Sequence, residues 1–165
     1  MKRLQLGNLK MSHERPGKSD EWYTPKYIFD ALGVHFSMDV AGDLACPHQS
    51  VPANWALSDG LNQPWQGIVW MNPPFGGRNA LWPWVEKFID HGNGIALVPD
   101  RTSAPWWQKL AKGSDGIVFV SPKVRFLDEN GQPGKSPSNG ITLHAIGYLA
   151  TVHLSNCGLG VYAKV

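Results

Sequence analysis

Three short apolar runs recur along the middle of the chain, and they constrain the fold more than any other feature. Ile68-Val69-Trp70-Met71, Ile95 to Val98 and Ile117 to Val120 are short and apolar throughout. Such runs suit strands buried on both faces of a sheet. Between them, Leu81 to His91 carries apolar residues at 81, 84, 85, 88 and 89, a helical stripe, and Ala104 to Ala111 reads as a second helix. Upstream, Tyr27, Ile28, Ala31 and Leu32 fall at helical spacing, with Thr24 as expected N-cap, Pro25 at the first helical position and Gly33 as the stop. His35 to Ala41 alternates through Phe36, Met38 and Val40, which predicts a strand. Strands and helices alternating over short links predict an α/β domain, with a mixed, mostly parallel sheet and helices on both faces. Ile141 to Leu149 reads as a further strand, and the segment from Thr151 as one more. Residues 43–64, with Pro47, Pro52 and Pro64, read as irregular with at most one short helix. Residues 121–140 read as a loop rich in Pro, Gly, Ser and Asn.

Composition narrows the class. A chain of 165 residues suits one domain, and 42% hydrophobic against 17% charged residues excludes global disorder. No apolar run is long enough for a transmembrane helix, and the polar N-terminal stretch lacks the apolar core of a secretory signal. Two cysteines, Cys46 and Cys157, make neither a disulfide scaffold nor a cysteine-based zinc cluster, so a soluble protein of the reducing cytoplasm is expected. Cys46-Pro47-His48 has no second ligand pair at matching spacing, and no metal is expected. Charge is uneven: residues 1–19 hold five basic residues against one acid, leaving 10 basic against 12 acidic residues in the remainder. We expect a flexible basic tail over 1–19, either a frayed end or a source of phosphate contacts, and a single domain over 20–165. Eight tryptophans suit core filling or aromatic platforms for bases, and Trp82, Trp84, Trp106 and Trp107 are expected mainly in packing.

The most informative polar motif is Asn72-Pro73-Pro74-Phe75, directly after the apolar run that ends at Met71. Consecutive prolines cannot continue a sheet or enter a helix interior, so they hold the chain in a rigid extended bend. That bend would project the Asn72 side chain and the Pro73 carbonyl beyond the strand end. Both offer acceptor oxygens suited to an amino group, and an aromatic ring follows at once. The plainer alternative is a proline-stiffened loop with a capping asparagine.

Asn-Pro-Pro-Phe at a strand end resembles the catalytic motif of methyltransferases acting on adenine N6 or cytosine N4. Asp20-Glu21-Trp22-Tyr23-Thr24-Pro25, Met38-Asp39-Val40-Ala41, Asp59-Gly60-Leu61 with Trp65, and Met71-Asn72-Pro73-Pro74-Phe75 together resemble the phage-type DNA N6-adenine methyltransferase (Dam-like) family. Arg101-Thr102-Ser103, Val124-Arg125-Phe126 and the Gly/Ser/Asn-rich segment before Ile141 are also similar, so the likeness spans about residues 20–147. It implies a Rossmann-like fold that uses S-adenosylmethionine, double-stranded DNA as partner without an obligate protein partner, and a phage- or prophage-encoded enzyme in a bacterial cytoplasm. It also implies catalytic roles for Asn72, Pro73, Pro74 and Phe75, and cofactor contacts from Trp22, Thr24, Pro25, Asp39, Ala41, Gly42, Asp59 and Asn72. The family's glycine-rich loop is reduced here to Ala41-Gly42-Asp43. Read alone, Asp39 and Asp59 also suit turn or loop carboxylates, and Thr24-Pro25 a plain helix start. Arg101, Lys123 and Arg125 are candidate phosphate contacts, or a solvated face.

The chemistry suits these residue types. The N6 lone pair of adenine is delocalised into the ring, and two acceptors on the amino hydrogens would localise it toward an incoming methyl. Positioning and aimed dipoles would then carry catalysis, on a base flipped out of the duplex. Two rivals differ in kind: an amino-group methyltransferase acting on RNA or a protein amide, and a non-catalytic DNA-binding relic of the fold.

Overall fold

The computed structural model describes residues 22–42, 51–77, 79–135 and 137–165. In chain order the elements are α1 (Lys26–Leu32), β1 (Phe36–Asp39), β2 (Ala53–Ala56), β3 (Val69–Met71), α2 (Trp82–His91), β4 (Gly94–Pro99), α3 (Pro105–Lys112), β5 (Gly116–Val120), β6 (Ile141–Ile146), α4 (Tyr148–Asn156) and β7 (Gly160–Lys164). The strands form a single sheet in the order β2-β1-β3-β4-β6-β5-β7.

The fully apolar runs sit where burial on both faces is required. Val69 and Met71 face one core and Trp70 the other; in β4, Ala96 and Val98 face the first core while Ile95 and Leu97 face the second. Successive strand side chains point to opposite faces, so an unbroken apolar run is what a doubly covered strand needs. Trp84, Val85 and Phe88 of α2 and Trp106, Trp107 and Leu110 of α3 cover one face. Ile28, Phe29 and Leu32 of α1 and Ala150 and Leu154 of α4 cover the other. Trp70 anchors that second layer, with the Phe29 ring edge-on at 4.8 Å. Among the described residues, none of the four helices has a side-chain N-cap hydrogen bond. Packing holds them instead, each buried aliphatic or aromatic side chain contributing about 1.5–3 kcal/mol.

One polar network crosses the core. Trp107 Nε1 donates to Thr142 Oγ1 at 3.0 Å, and Thr142 Oγ1 lies 2.9 Å from His144 Nε2. The other ring nitrogen, Nδ1, is 3.2 Å from Ser114 Oγ, which donates to the Leu110 carbonyl. His144 is wholly buried, and burial pulls its pKa down to about 3. It is a neutral structural histidine joining α3 to β6.

Several expectations need correction. The sheet is parallel across β2-β1-β3-β4 and antiparallel across β4-β6-β5-β7, so it is mixed rather than mainly parallel in its pairings. Helices do lie on both faces. Residues 53–56 form the edge strand β2, which sequence alone left irregular: only four residues long and half open, Ala-Asn-Trp-Ala has no apolar signature. The strand from Ile141 stops at Ile146, because Gly147 at φ 93° turns the chain into α4. Thr151 therefore lies in a helix, and the last strand begins only at Gly160. Apolar residues ring α4, leaving Tyr148, Leu149 and Val152 exposed, so it lacks the stripe that would have marked it. Pro25 occupies the cap position of α1, with extended backbone, and the helix begins at Lys26; Thr24 is left for another role. Trp84, Trp106 and Trp107 are buried as expected. The basic tail and Cys46-Pro47-His48 lie outside the described residues. Among the described residues no helix is long and apolar enough to cross a membrane, and no cluster of His, Cys, Asp and Glu is placed to hold a metal ion.

Candidate active site

The sheet reverses its winding at β1. The chain steps from β1 outward to β2, then crosses back over β1 to lay down β3 on its other side. In open α/β sheets a crevice opens at such a switch point, beyond the carboxyl ends of the strands. Here those ends carry Asp39, the last residue of β1, and Asn72, the first residue after β3. Asp39 is paired in register with Trp70, two positions before Asn72, so the two polar residues emerge side by side.

Asp39 is only 4% exposed. Its Oδ1 accepts the Ala41 N–H at 3.3 Å, closing a tight turn at the strand end. Burial pushes its carboxyl up to about 7, against the smaller opposing pull of that hydrogen bond. A cation seated beside it would favour the ionised form. Ala41 and Gly42 follow, both half-buried.

Asn72 is half-buried and Pro73 buried, while Pro74 and Phe75 are exposed. Asn72 Nδ2 donates to Thr24 Oγ1 at 3.2 Å, across 48 positions of sequence. The Thr24 hydroxyl that the sequence suggested as a helix cap thus holds the Asn72 amide. That leaves Asn72 Oδ1 available as an acceptor. Trp22 and Tyr23 fix the approach of this segment. Tyr23 exchanges both backbone hydrogen bonds with Leu127, each 2.9 Å, and Leu127 in turn bridges Pro133. The Trp22 ring lies so close over Gly134 that a Cβ there would overlap it. The start of the loop before β6 is therefore organised as a small hairpin joined to the segment that bears Thr24.

Asp59 follows β2, one strand over from Asp39. Its carboxylate accepts Asn62 Nδ2 at 2.9 Å, and its carbonyl accepts the Asn62 N–H at 3.2 Å. Next to it, Gly60 sits on the Val40 backbone so tightly that a Cβ would overlap the Val40 carbonyl oxygen. Only glycine fits where the two loops touch. Lys87 of α2 reaches across to the same loop, with Nζ at 2.8 Å from the Gly60 carbonyl, 2.8 Å from Leu61 and 2.6 Å from Gln63. Sequence reasoning missed Lys87, because a lysine beside an apolar helical stripe carries no signal of its targets. The missed strand β2 hid it further, since the loop's place depends on that strand.

The basic candidates stand apart from this cluster. Arg101, just past β4, joins Phe75, Gly76, Leu81, Pro99 and Trp106 around a small open cleft. Lys123 donates to the Ser138 carbonyl at 2.9 Å and so braces the loop before β6. Arg125 is exposed, and neither arginine makes an ion pair among the described residues.

The structure thus brings Thr24, Asp39, Ala41, Asn72 and Pro73 to the carboxyl ends of β1 and β3, sets Asp59 on their flank, and leaves Phe75 and Arg101 at a separate small cleft. Comparison with known proteins bears on what these strand ends do. No curated protein and no solved structure matches the chain significantly. A family model described as DNA N-6-adenine-methyltransferase (Dam) matches residues 11–145, well over half of the 165 residues. It spans every candidate position named above, and on that match the chain belongs to the DNA N-6-adenine-methyltransferase (Dam) family.

Proposed function

We propose that the protein transfers a methyl group from S-adenosylmethionine to the N6 amino group of a flipped adenine in double-stranded DNA, within a single Rossmann-like domain over residues 20–165. The observation that carries this reading is the pair of strand ends at the switch point. A buried carboxyl group at Asp39 and the Asn72 amide held by Thr24 emerge side by side there. Its residues suit a cationic cofactor: Asp39 has the charge, and the small Ala41 and Gly42 allow close backbone approach. Trp22, Thr24, Pro25 and Asp59 complete the proposed cofactor contacts, with Asn72 facing both cofactor and base.

S-adenosylmethionine, when bound, supplies an activated methyl on a positively charged sulfur with a neutral leaving group. The chain does the rest by positioning. Asn72 Oδ1 and the Pro73 carbonyl accept the two amino hydrogens of adenine and turn its lone pair toward the methyl. Pro73 and Pro74 keep those acceptors fixed, so little reorganisation is needed during transfer. Phe75, 44% exposed, offers a ring on which an extruded base stacks, worth about 1–3 kcal/mol against the cost of flipping. Arg101, Lys123 and Arg125 are the proposed phosphate contacts.

The test is direct. Purified protein is incubated with methyl-labelled S-adenosylmethionine and unmethylated DNA, and the DNA is digested and read by mass spectrometry. Labelled N6-methyldeoxyadenosine is expected, and it should vanish with Asn72→Ala while the variant still melts cooperatively, with a loss of only about 1 kcal/mol for the bond to Thr24. Label on RNA or protein instead of DNA, or full activity in Asn72→Ala, would overturn the proposal.

A further inference from the structure

We propose that Lys87 is a positioning residue for the cofactor: its ammonium closes a cage of three backbone carbonyls and thereby holds the Asp59 loop against the end of β1. The inference rests on the cofactor reading above and deepens it. An ammonium has three N–H donors, and here all three find carbonyls of one loop, those of Gly60, Leu61 and Gln63 at 2.6 to 2.8 Å. The Trp65 indole N–H shares the Gly60 carbonyl at 2.8 Å, and the ammonium stands 5.0 Å from the centre of that ring. Three carbonyl dipoles converging on one point repel each other without a cation between them. The loop's shape therefore depends on Lys87.

That shape matters for the crevice because of what the loop touches on its other side. Gly60 is pressed onto the Val40 carbonyl, directly after Asp39, and Asp59 is locked to Asn62 within the same turn. A relaxed loop would shift Asp59 and Val40 together, changing the cofactor's seat. Asn72 and Thr24 are held by other elements and would not move. Lys87 should thus govern cofactor affinity and leave transfer from a saturated enzyme nearly untouched.

Chemical rescue tests this. S-adenosylmethionine is titrated calorimetrically into wild type and Lys87→Ala, with and without methylammonium chloride. A matched series uses tetramethylammonium, which has the same charge but no N–H donor. We expect about tenfold or greater weakening in Lys87→Ala, the scale of losing charged hydrogen bonds. Methylammonium should restore most of the affinity and tetramethylammonium none. With saturating cofactor, kcat on DNA should stay within about twofold of wild type, because the groups that face the base are intact. Affinity equal to wild type in Lys87→Ala, or a loss indifferent to methylammonium, would overturn the assignment. If Lys87→Ala does not fold, Lys87→Gln carries the test: it can donate to only part of the cage, and wild-type affinity there would equally overturn it. A wild-type protein that binds no S-adenosylmethionine would instead sink the cofactor reading itself, separately from any effect of Lys87.

Discussion

Replacing Asp39 by Asn should make the protein more stable and less functional, with the gain in stability growing as pH rises. The native carboxyl has a pKa pushed up to about 7 by burial, against an ordinary value of 3.8. The folded state therefore holds a proton that the unfolded state has released between those two values. Stability from this group is fully present below pH 3.8 and is lost as pH rises through about 7. The gap of roughly three pH units corresponds to about 4 kcal/mol by pH 8 as an upper bound. Relaxation of the site toward water should leave about 2 kcal/mol or more of it. Asn is nearly isosteric, can still accept the Ala41 N–H and never ionises. Denaturant melts of wild type and Asp39→Asn without cofactor at pH 5 and pH 8 isolate the effect as a difference between variants. The variant should gain about 1 kcal/mol at pH 5 and about 2–4 kcal/mol at pH 8, the latter roughly 4–16 °C in Tm for a chain of this size. Its affinity for S-adenosylmethionine should fall more than tenfold. A stability gap that does not change with pH, or that narrows as pH rises, would refute the argument.

The remaining predictions concern other parts of the structure. His144, its pKa lowered to about 3, has the opposite sign: the unfolded state takes up a proton below about 6.5, so stability drops by about 1.4 kcal/mol per pH unit down to about 3. Over roughly pH 4 to 6.5 the Asp39 and His144 contributions oppose each other, so Asp39→Asn should lose stability on acidification more steeply than wild type in urea melts. Phe75→Ala should lower kcat/KM for DNA by about 5- to 150-fold, matching one lost base stack, with cofactor affinity unchanged by calorimetry. Gly60→Ala must push a methyl into the Val40 carbonyl, and a loss of about 1–3 kcal/mol in denaturant melts with weaker cofactor binding is expected.

The central strands were legible because burial on both faces leaves a plain mark: Ile68 to Met71 and Ile95 to Val98 could scarcely be anything else. α2 and α3 were legible through stripes that one-sided packing requires. The edge strand β2 and the helix α4 escaped for the converse reason. β2 is half open and α4 is apolar on several sides, so neither shows the periodicity that betrays its state. At the site, Asn72 to Phe75 stood out through the rigidity of two prolines, and Asp39 through its place at a strand end. The pairing of Thr24 with Asn72, the Val40–Gly60 contact and the Lys87 cage did not. Each joins residues 20 to 48 positions apart through a backbone carbonyl or a single hydroxyl, and such partners leave no local pattern to read.

The bond between Tyr23 and Leu127 sets an order of events during synthesis. The strand-like pairing that steadies the Thr24 segment needs Leu127, made just over a hundred residues later. At about 5–20 residues per second, that interval lasts on the order of 5–20 s. Through that interval β1 and β3 can already exist while the partner of Tyr23 does not. Asn72 should therefore gain its full support only after Leu127 has been made. A nascent chain stalled before Leu127 would carry the motif without a finished crevice, and competence would arrive late and abruptly rather than strand by strand.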